Sequence, residues 1–468
     1  IMRNPMRIFI VAVFLTVLCE LALGQAPAPT KEKPPAGGPP KPFKLPAVEK
    51  LTLPNGLQVT LAPFGSIPKV MIDVTVRAGN LNEAPAQVWL ADFTGELLKE
   101  GTSSRTSEQV ANEAAAMGGA VVVEVGPDLT RIHSDVLSEF GPQMATLLAD
   151  VVQNPVLPAS EVSRLKQDFL RRLSVEKSQP GTLAREQFYQ ALYPGHPYGR
   201  ILSTETIISS FTAEQSRKFY EDNFGAARTH LYVAGKFDAD AVKTAITKAF
   251  SSWKKGPDPL IEIPKPTAKR QFYLVDRPGA AQSTLYLGLP TIDPSNADFI
   301  ALQVTNTLLG GSFASRITSN IREQKGYTYS PTSQVSVRYR DAFWAEIADV
   351  TTAVTGPSIK EILYEVNHLQ KESPTDAELN GIKNLMAGLF VIQNSSRPGL
   401  IGRLQYVDLH QLGDKYLETY VQKVFAVTPE QVQQMAQKYI LPDRLTIVVV
   451  GDKSKIADQI APYEKSGT

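Results

Sequence analysis

The sequence predicts an α+β fold of two homologous domains, each a mainly antiparallel sheet with helices packed on it, arranged as a clamshell. A long internal repeat, the order of strands before helices within each half, and a Pro-rich stretch between the halves carry that reading. Thr212-Ala213-Glu214-Gln215 and Thr428-Pro429-Glu430-Gln431 both have capping-box form, the second with Pro at the first helical position. Each helix is followed by an Arg (Arg228, Arg444), an apolar strand and a Gly (Gly235, Gly451), all at a constant separation of 216 residues. Glu161-Val162 and Lys166 pair with Glu378-Leu379 and Lys383 at 217. A near-constant offset over such a span implies two copies of one domain. Strands followed by helices without strict alternation favour α+β over a doubly wound sheet. Residues 251–270 hold Lys254, Lys255, Gly256, Pro257, Pro259, Pro264 and Pro266, an extended polar composition that reads as the inter-domain linker. The domains are therefore expected at 47–250 and 271–468.

Along the chain, Arg3 and Arg7 precede an apolar run from Ile8 to Cys19, and Ala22-Leu23-Gly24 supplies small residues for cleavage. This pattern predicts a secretory signal over 1–24. The run is short for a bilayer and Glu20 interrupts it, so no membrane span is expected in the mature chain. Cleavage of the segment and its retention as an anchor both remain open. Residues 25–46 are a Pro-rich spacer with no core-forming pattern. Leu51 and Leu53 alternate, Asn55-Gly56 supplies a turn, and Leu57, Val59 and Leu61 alternate again, which predicts a hairpin. Ile72, Val74 and Val76 predict a half-buried strand. The capping box Thr106-Ser107-Glu108-Gln109 starts an Ala-rich helix ending at Gly118-Gly119. Leu165, Phe169, Leu170 and Leu173 recur at helical spacing between Glu161 and Val175.

The 468 residues carry 48 Lys plus Arg against 47 Asp plus Glu, a net charge of +1, which argues against a nucleic-acid partner or a polybasic membrane surface. Cys19 is the only cysteine, so disulfides and thiolate metal sites are excluded from the mature chain. An exported chain without disulfides is expected in the periplasm or outside a bacterial cell.

Several motifs resemble the insulinase/pitrilysin family of zinc metallopeptidases. They are Leu53-Pro54-Asn55-Gly56-Leu57, Val76-Arg77-Ala78-Gly79-Asn80, the segment Leu90 to Thr102, and Tyr193-Pro194-Gly195-His196-Pro197-Tyr198-Gly199. Leu309-Gly310-Gly311-Ser312-Phe313 and Arg322-Glu323-Gln324-Lys325-Gly326-Tyr327-Thr328-Tyr329-Ser330 resemble its C-terminal signature. The resemblance implies a fold that encloses a peptide between similar α+β halves. Catalytic members carry H-x-x-E-H on a helix, where two imidazoles on one face bind Zn²⁺ and the Glu is the general base. Here Asp92-Phe93-Thr94-Gly95-Glu96 aligns with that motif. Asp92 and Glu96 stand for the two His, and Gly95 for the base. The family's third ligand, a Glu, falls near Arg172, whose charge repels a cation. No catalytic residue and no metal are expected in this chain. His133, His196, His230, His368 and His410 are scattered, with no i, i+4 pair.

The C-terminal signature is retained. Arg322 and Tyr329 lie seven residues apart, and a helix giving way to an extended segment near Gly326 turns both toward one cleft. Their donors suit a peptide carbonyl that becomes an oxyanion, and the resemblance implies that they contact substrate. Gly310-Gly311 is read either as a simple loop between helices or as flexible backbone near the peptide. Some bacterial relatives, and the mitochondrial processing peptidase, divide metal and substrate binding between two chains. The resemblance thus implies a non-catalytic substrate-binding subunit whose partner is a homologous zinc-bearing peptidase subunit, with zinc in that partner and a peptide as substrate. A stand-alone peptide-binding or structural scaffold is the alternative. A second is a peptidase with unorthodox ligands, since Asp92 and Glu96 share a helix face and carboxylates suit hard cations.

Overall fold

A computed structural model describes residues 44–413 and 415–464. The expected signal segment and residues 25–43 of the expected spacer lie outside the described residues. Two sheets organise the chain. The first has strand order β1-β2-β6-β3-β5-β4, from β1 (Glu49–Thr52), β2 (Gln58–Pro63), β3 (Lys69–Val76), β4 (Val122–Val125), β5 (Thr130–Leu137) and β6 (Thr229–Gly235). The second is β7-β11-β8-β10-β9, from β7 (Gln271–Asp276), β8 (Gln282–Thr291), β9 (Thr332–Arg338), β10 (Asp341–Thr351) and β11 (Thr446–Gly451). In each sheet the last strand of the half runs parallel to the first strand of the repeat, and every other repeated pairing is antiparallel. The second sheet thus repeats β2-β6-β3-β5-β4, and β1 is an added edge strand. Both repeated capping boxes form, Thr212 with Gln215 and Thr428 with Gln431. The fold class is α+β, as the repeat predicts.

Two local expectations are corrected. The hairpin connection is longer than the Asn-Gly pair suggests. β1 and β2 pair only as far as Thr52 opposite Gln58, and only Gly56 takes positive φ, at +93°. Asn55 instead sends its side-chain amide to the carbonyls of Phe250 and Trp253, at 2.8 and 3.0 Å, tying the turn to the end of the half. The strand around Ile72 to Val76 is not half-buried. Both of its faces are covered, because a helix from the other half packs on the side that periodicity leaves to water.

That covering is reciprocal. Helix Pro180–Leu192 of the first half packs on the second sheet, where Phe188 lies 4.5 Å from the Tyr286 ring and 5.4 Å from Phe343. Gly288 on β8 makes room: a Cβ there would stand 2.8 Å from Phe188 Cζ. Helix Arg397–His410 of the second half packs Leu400, Ile401 and Leu404 on Ala62, Met71, Tyr232 and Ala234 of the first sheet. Arg397 anchors it through two bonds to Asp135, at 2.8 and 2.9 Å, a forked geometry that favours Arg over Lys. Each sheet is therefore sandwiched between its own helices and one lent by the other half. Among the described residues no helix is long and apolar enough to cross a membrane.

Candidate functional site

Helix Leu90–Leu98 carries the degenerate motif. Its N-terminus is capped from outside the helix. Glu83 is 5% exposed, and its carboxylate oxygens accept from the backbone N–H groups of Trp89 (3.1 Å) and Ala91 (2.8 Å). These are donors that a helix start leaves unsatisfied. Burial pushes the Glu83 carboxyl up to about 8 against the pull of those bonds. Trp89 adopts positive φ, +77°, to enter the helix.

Helical spacing sets Asp92 and Glu96 on one face. Asp92 Oδ2 accepts from Asn80 Nδ2 at 2.8 Å, and its Oδ1 accepts from Arg172 Nη1 at 3.0 Å. Arg172 comes from helix Ala159–Ser178, and its guanidinium lies 4.6 Å from the Trp89 ring centre and 5.7 Å from that of Phe169. This stacking suits a planar cation. Glu96 pairs with Lys99 at 2.6 Å. Gly95 faces β4 so closely that a Cβ would lie 2.8 Å from Val125 Cγ2 and 3.3 Å from Val123 Cγ1. These residues line a depression of about 380 Å³. The structure thus brings Asp92, Gly95, Glu96 and Arg172 together. The arrangement does not fit zinc: both carboxylates are engaged by cations, a guanidinium stands beside one of them, and a base at 95 has no room. Among the described residues no group of three or more His, Cys, Asp or Glu is placed to hold a metal ion. His196 Nδ1 accepts from Tyr198 N at 3.2 Å, and His230 stacks on Tyr232 at 4.0 Å beside Thr60. Burial drives the His230 imidazole down to about 3.

In the second half, helix Phe299–Leu309 ends where the N–H groups of Gly310 and Gly311 both donate to Asn306 O. Gly310 is required by close approach, since a Cβ would stand 2.5 Å from Glu346 Oε2 and 2.6 Å from Ser333 Oγ. Glu346, fully buried on β10, has its carboxyl held well above the usual range by burial. Arg322 sits on the π-helical turn Thr318–Gln324. Gly326 (φ +64°) then redirects the chain, and Thr328 Oγ1 donates to Asp349 O at 2.7 Å, fastening the segment to β10. The result gathers three side chains. The Arg322 guanidinium lies 4.3 Å from the Phe313 ring centre and 5.0 Å from that of Tyr329. Both rings are open to solvent, Phe313 at 69% and Tyr329 at 80%. Such exposure of two large aromatics around a cation marks an interaction surface rather than core. Glu83 carries no periodic or motif signal for its role, and Phe313, though within the Leu309–Phe313 motif, gives no signal that it meets Arg322. Glu83 acts across a loop, and Phe313 is defined by a cation that follows it by nine residues.

Two repeated α+β halves define the class of protein to which this fold belongs. Residues 65–206 match the family described as Insulinase (Peptidase family M16), and residues 210–386 match the one described as Peptidase M16 inactive domain. Together these cover more than half of the sequence, and the chain belongs to the M16, or insulinase, peptidase family. It is similar to an uncharacterized zinc protease of Rickettsia felis, 26% identical over 73% of this chain and 82% of that one. It is also similar to the uncharacterized zinc protease YmxG of Bacillus subtilis, 25% identical over 85% and 96%. Among solved structures, a peptidase M16 inactive domain from Pseudomonas fluorescens superposes with a TM-score of 0.80 at 23% identity, covering 86% of this chain and 98% of that chain. A protease from Helicobacter pylori superposes with a TM-score of 0.80 at 21% identity, covering 87% and 100%. These two likenesses establish the fold.

Proposed function

We propose that this chain is the non-catalytic, substrate-binding subunit of a zinc endopeptidase heterodimer. The observation that carries the reading is a contrast between its halves. In this reading an Arg172–Asp92 ion pair occupies the position that the family resemblance gives to zinc. Where a substrate-contacting surface is expected, a half-buried Arg322, 3.4 Å from Glu323, is gathered with the open rings of Tyr329 and Phe313. A cation that disfavours metal and a surface that retains donors divide the chemistry between chains. In this reading Asp92, Gly95, Glu96 and Arg172 are structural, and Arg322 and Tyr329 meet a peptide held against the partner's zinc. The names of the relatives, zinc proteases, support a proteolytic setting.

The test is reconstitution with a homologous chain that carries an intact H-x-x-E-H. Turnover of a quenched fluorescent peptide is expected only in the mixture, with a one-to-one complex by light scattering. A partner equally active alone, or no complex, would favour the scaffold reading instead.

A further inference from the structure

Beside the Arg322 surface lies a pocket of about 470 Å³, walled by helices Phe299–Leu309, Asp376–Gln393, Arg397–His410 and Lys415–Ala426. Its mouth is formed in part by Phe313, the same ring that stacks with Arg322, so pocket and candidate substrate surface are continuous. Tyr416, Tyr420 and Phe390 line its interior, the last two stacked at 4.5 Å. Leu389, on the exposed face of its helix, remains 44% exposed at the rim.

Two features go beyond a greasy hollow. Gln303 and Ser312 line the pocket, and their side-chain oxygens, buried beneath its wall, have no hydrogen-bond partner among the described residues. Such orphaned acceptors are costly unless a ligand donor meets them. Arg403 is the one charged residue lining the pocket among the described residues. Its guanidinium lies 5.5 Å from the Phe390 ring centre and donates to Gln393. An apolar side chain fits the aromatic walls, a carboxylate fits Arg403, and a rotation of Gln303 or Ser312 would turn an orphaned oxygen toward a polar group of the peptide.

We infer that this pocket is a specificity subsite taking a large apolar side chain of the peptide together with a neighbouring acidic group. The inference rests on the peptide-binding reading above and names the class of peptide. A second copy of this chain is a poorer occupant, since nothing in a flat helix-to-helix contact calls for a recessed aromatic hollow with a guanidinium at its wall.

The probe is a short fluorescein-labelled peptide of Gly, Ser and Thr with one Phe flanked by Asp, titrated by anisotropy against the full chain and against its reconstituted complex. Replacing the Phe by Ala, or the Asp pair by Lys, is expected to weaken binding about tenfold or more. Leu389→Asp weakens the Phe peptide to the level of the Ala peptide. Arg403→Gln abolishes the preference for Asp over Lys while circular dichroism stays unchanged. With benzoylphenylalanine in place of Phe, photo-crosslinks fall on helices Asp376–Gln393 or Lys415–Ala426. Binding that ignores the Phe and both variants, or crosslinks elsewhere, overturns the subsite and leaves the peptide-binding reading standing. Absence of binding by every peptide, in chain and complex alike, overturns both.

Discussion

Arg172 donates to Asp92 at 3.0 Å across 80 residues of sequence, setting a guanidinium against the one carboxylate of its helix that also accepts from Asn80.

The first prediction concerns metal. With Asp92 paired to Arg172 and Glu96 to Lys99, the purified chain is expected to carry no stoichiometric zinc and to hydrolyse no peptide by itself. Elemental analysis after dialysis checks this. One equivalent of zinc, lost together with activity in Asp92→Ala and Glu96→Ala, would restore the unorthodox-peptidase reading.

Rebuilding the motif is harder than three substitutions. Asp92→His, Gly95→Glu and Glu96→His restore the ligands and base but leave Arg172 in place. Any side chain at 95 also meets Val125 at 2.8 Å, overpacking that typically costs about 1–3 kcal/mol. The triple variant is expected to melt lower and bind zinc weakly. Adding Arg172→Glu should tighten zinc, and adding Val125→Ala should recover stability. Isothermal titration and thermal melts separate the two effects. Tight zinc binding by the triple variant alone contradicts the obstructive role of Arg172.

In a reconstituted complex, Arg322→Ala or Tyr329→Phe is expected to lower turnover about 10²–10³-fold, the usual loss when one oxyanion donor is removed. Zinc content and complex size should not change, because Tyr329 is 80% exposed and contributes little packing. Dissociation of the complex instead would move these residues into the subunit interface.

Stability should depend on pH through a contact between the halves. Tyr193 Oη donates to Asp341 Oδ2 at 2.5 Å, and burial raises the Asp341 carboxyl from its ordinary 3.8 to about 6. Between those values the native chain holds a proton that the unfolded chain has released. The contribution is therefore complete below about pH 4 and is lost as pH rises through 6. The move from 3.8 to about 6 corresponds to roughly 3 kcal/mol as an upper bound. Denaturant unfolding of the natural chain and of Asp341→Asn, compared from pH 4 to 7, should show the natural chain losing ground by up to that amount. A constant difference would mean the carboxyl is not shifted.

The sequence by itself determined the α+β class and the two-fold repeat, and it set the expectation that Asp92, Gly95 and Glu96 stand in place of two His ligands and a base. Capping boxes and apolar periodicity are local signals, and local signals survive in one dimension. The pairs that define the site are not local. Periodicity says which face of Arg397–His410 is apolar, but not that it covers β3 of the other half. Alignment sets Arg172 near a ligand position, but only the fold brings its guanidinium to Asp92 and over Trp89. Glu83 caps a helix it does not belong to, and Phe313 meets Arg322 because a π-helical turn rotates the latter toward it. Such meetings depend on how sheets and helices stack in three dimensions, and residue order alone does not encode distances between segments far apart in the chain.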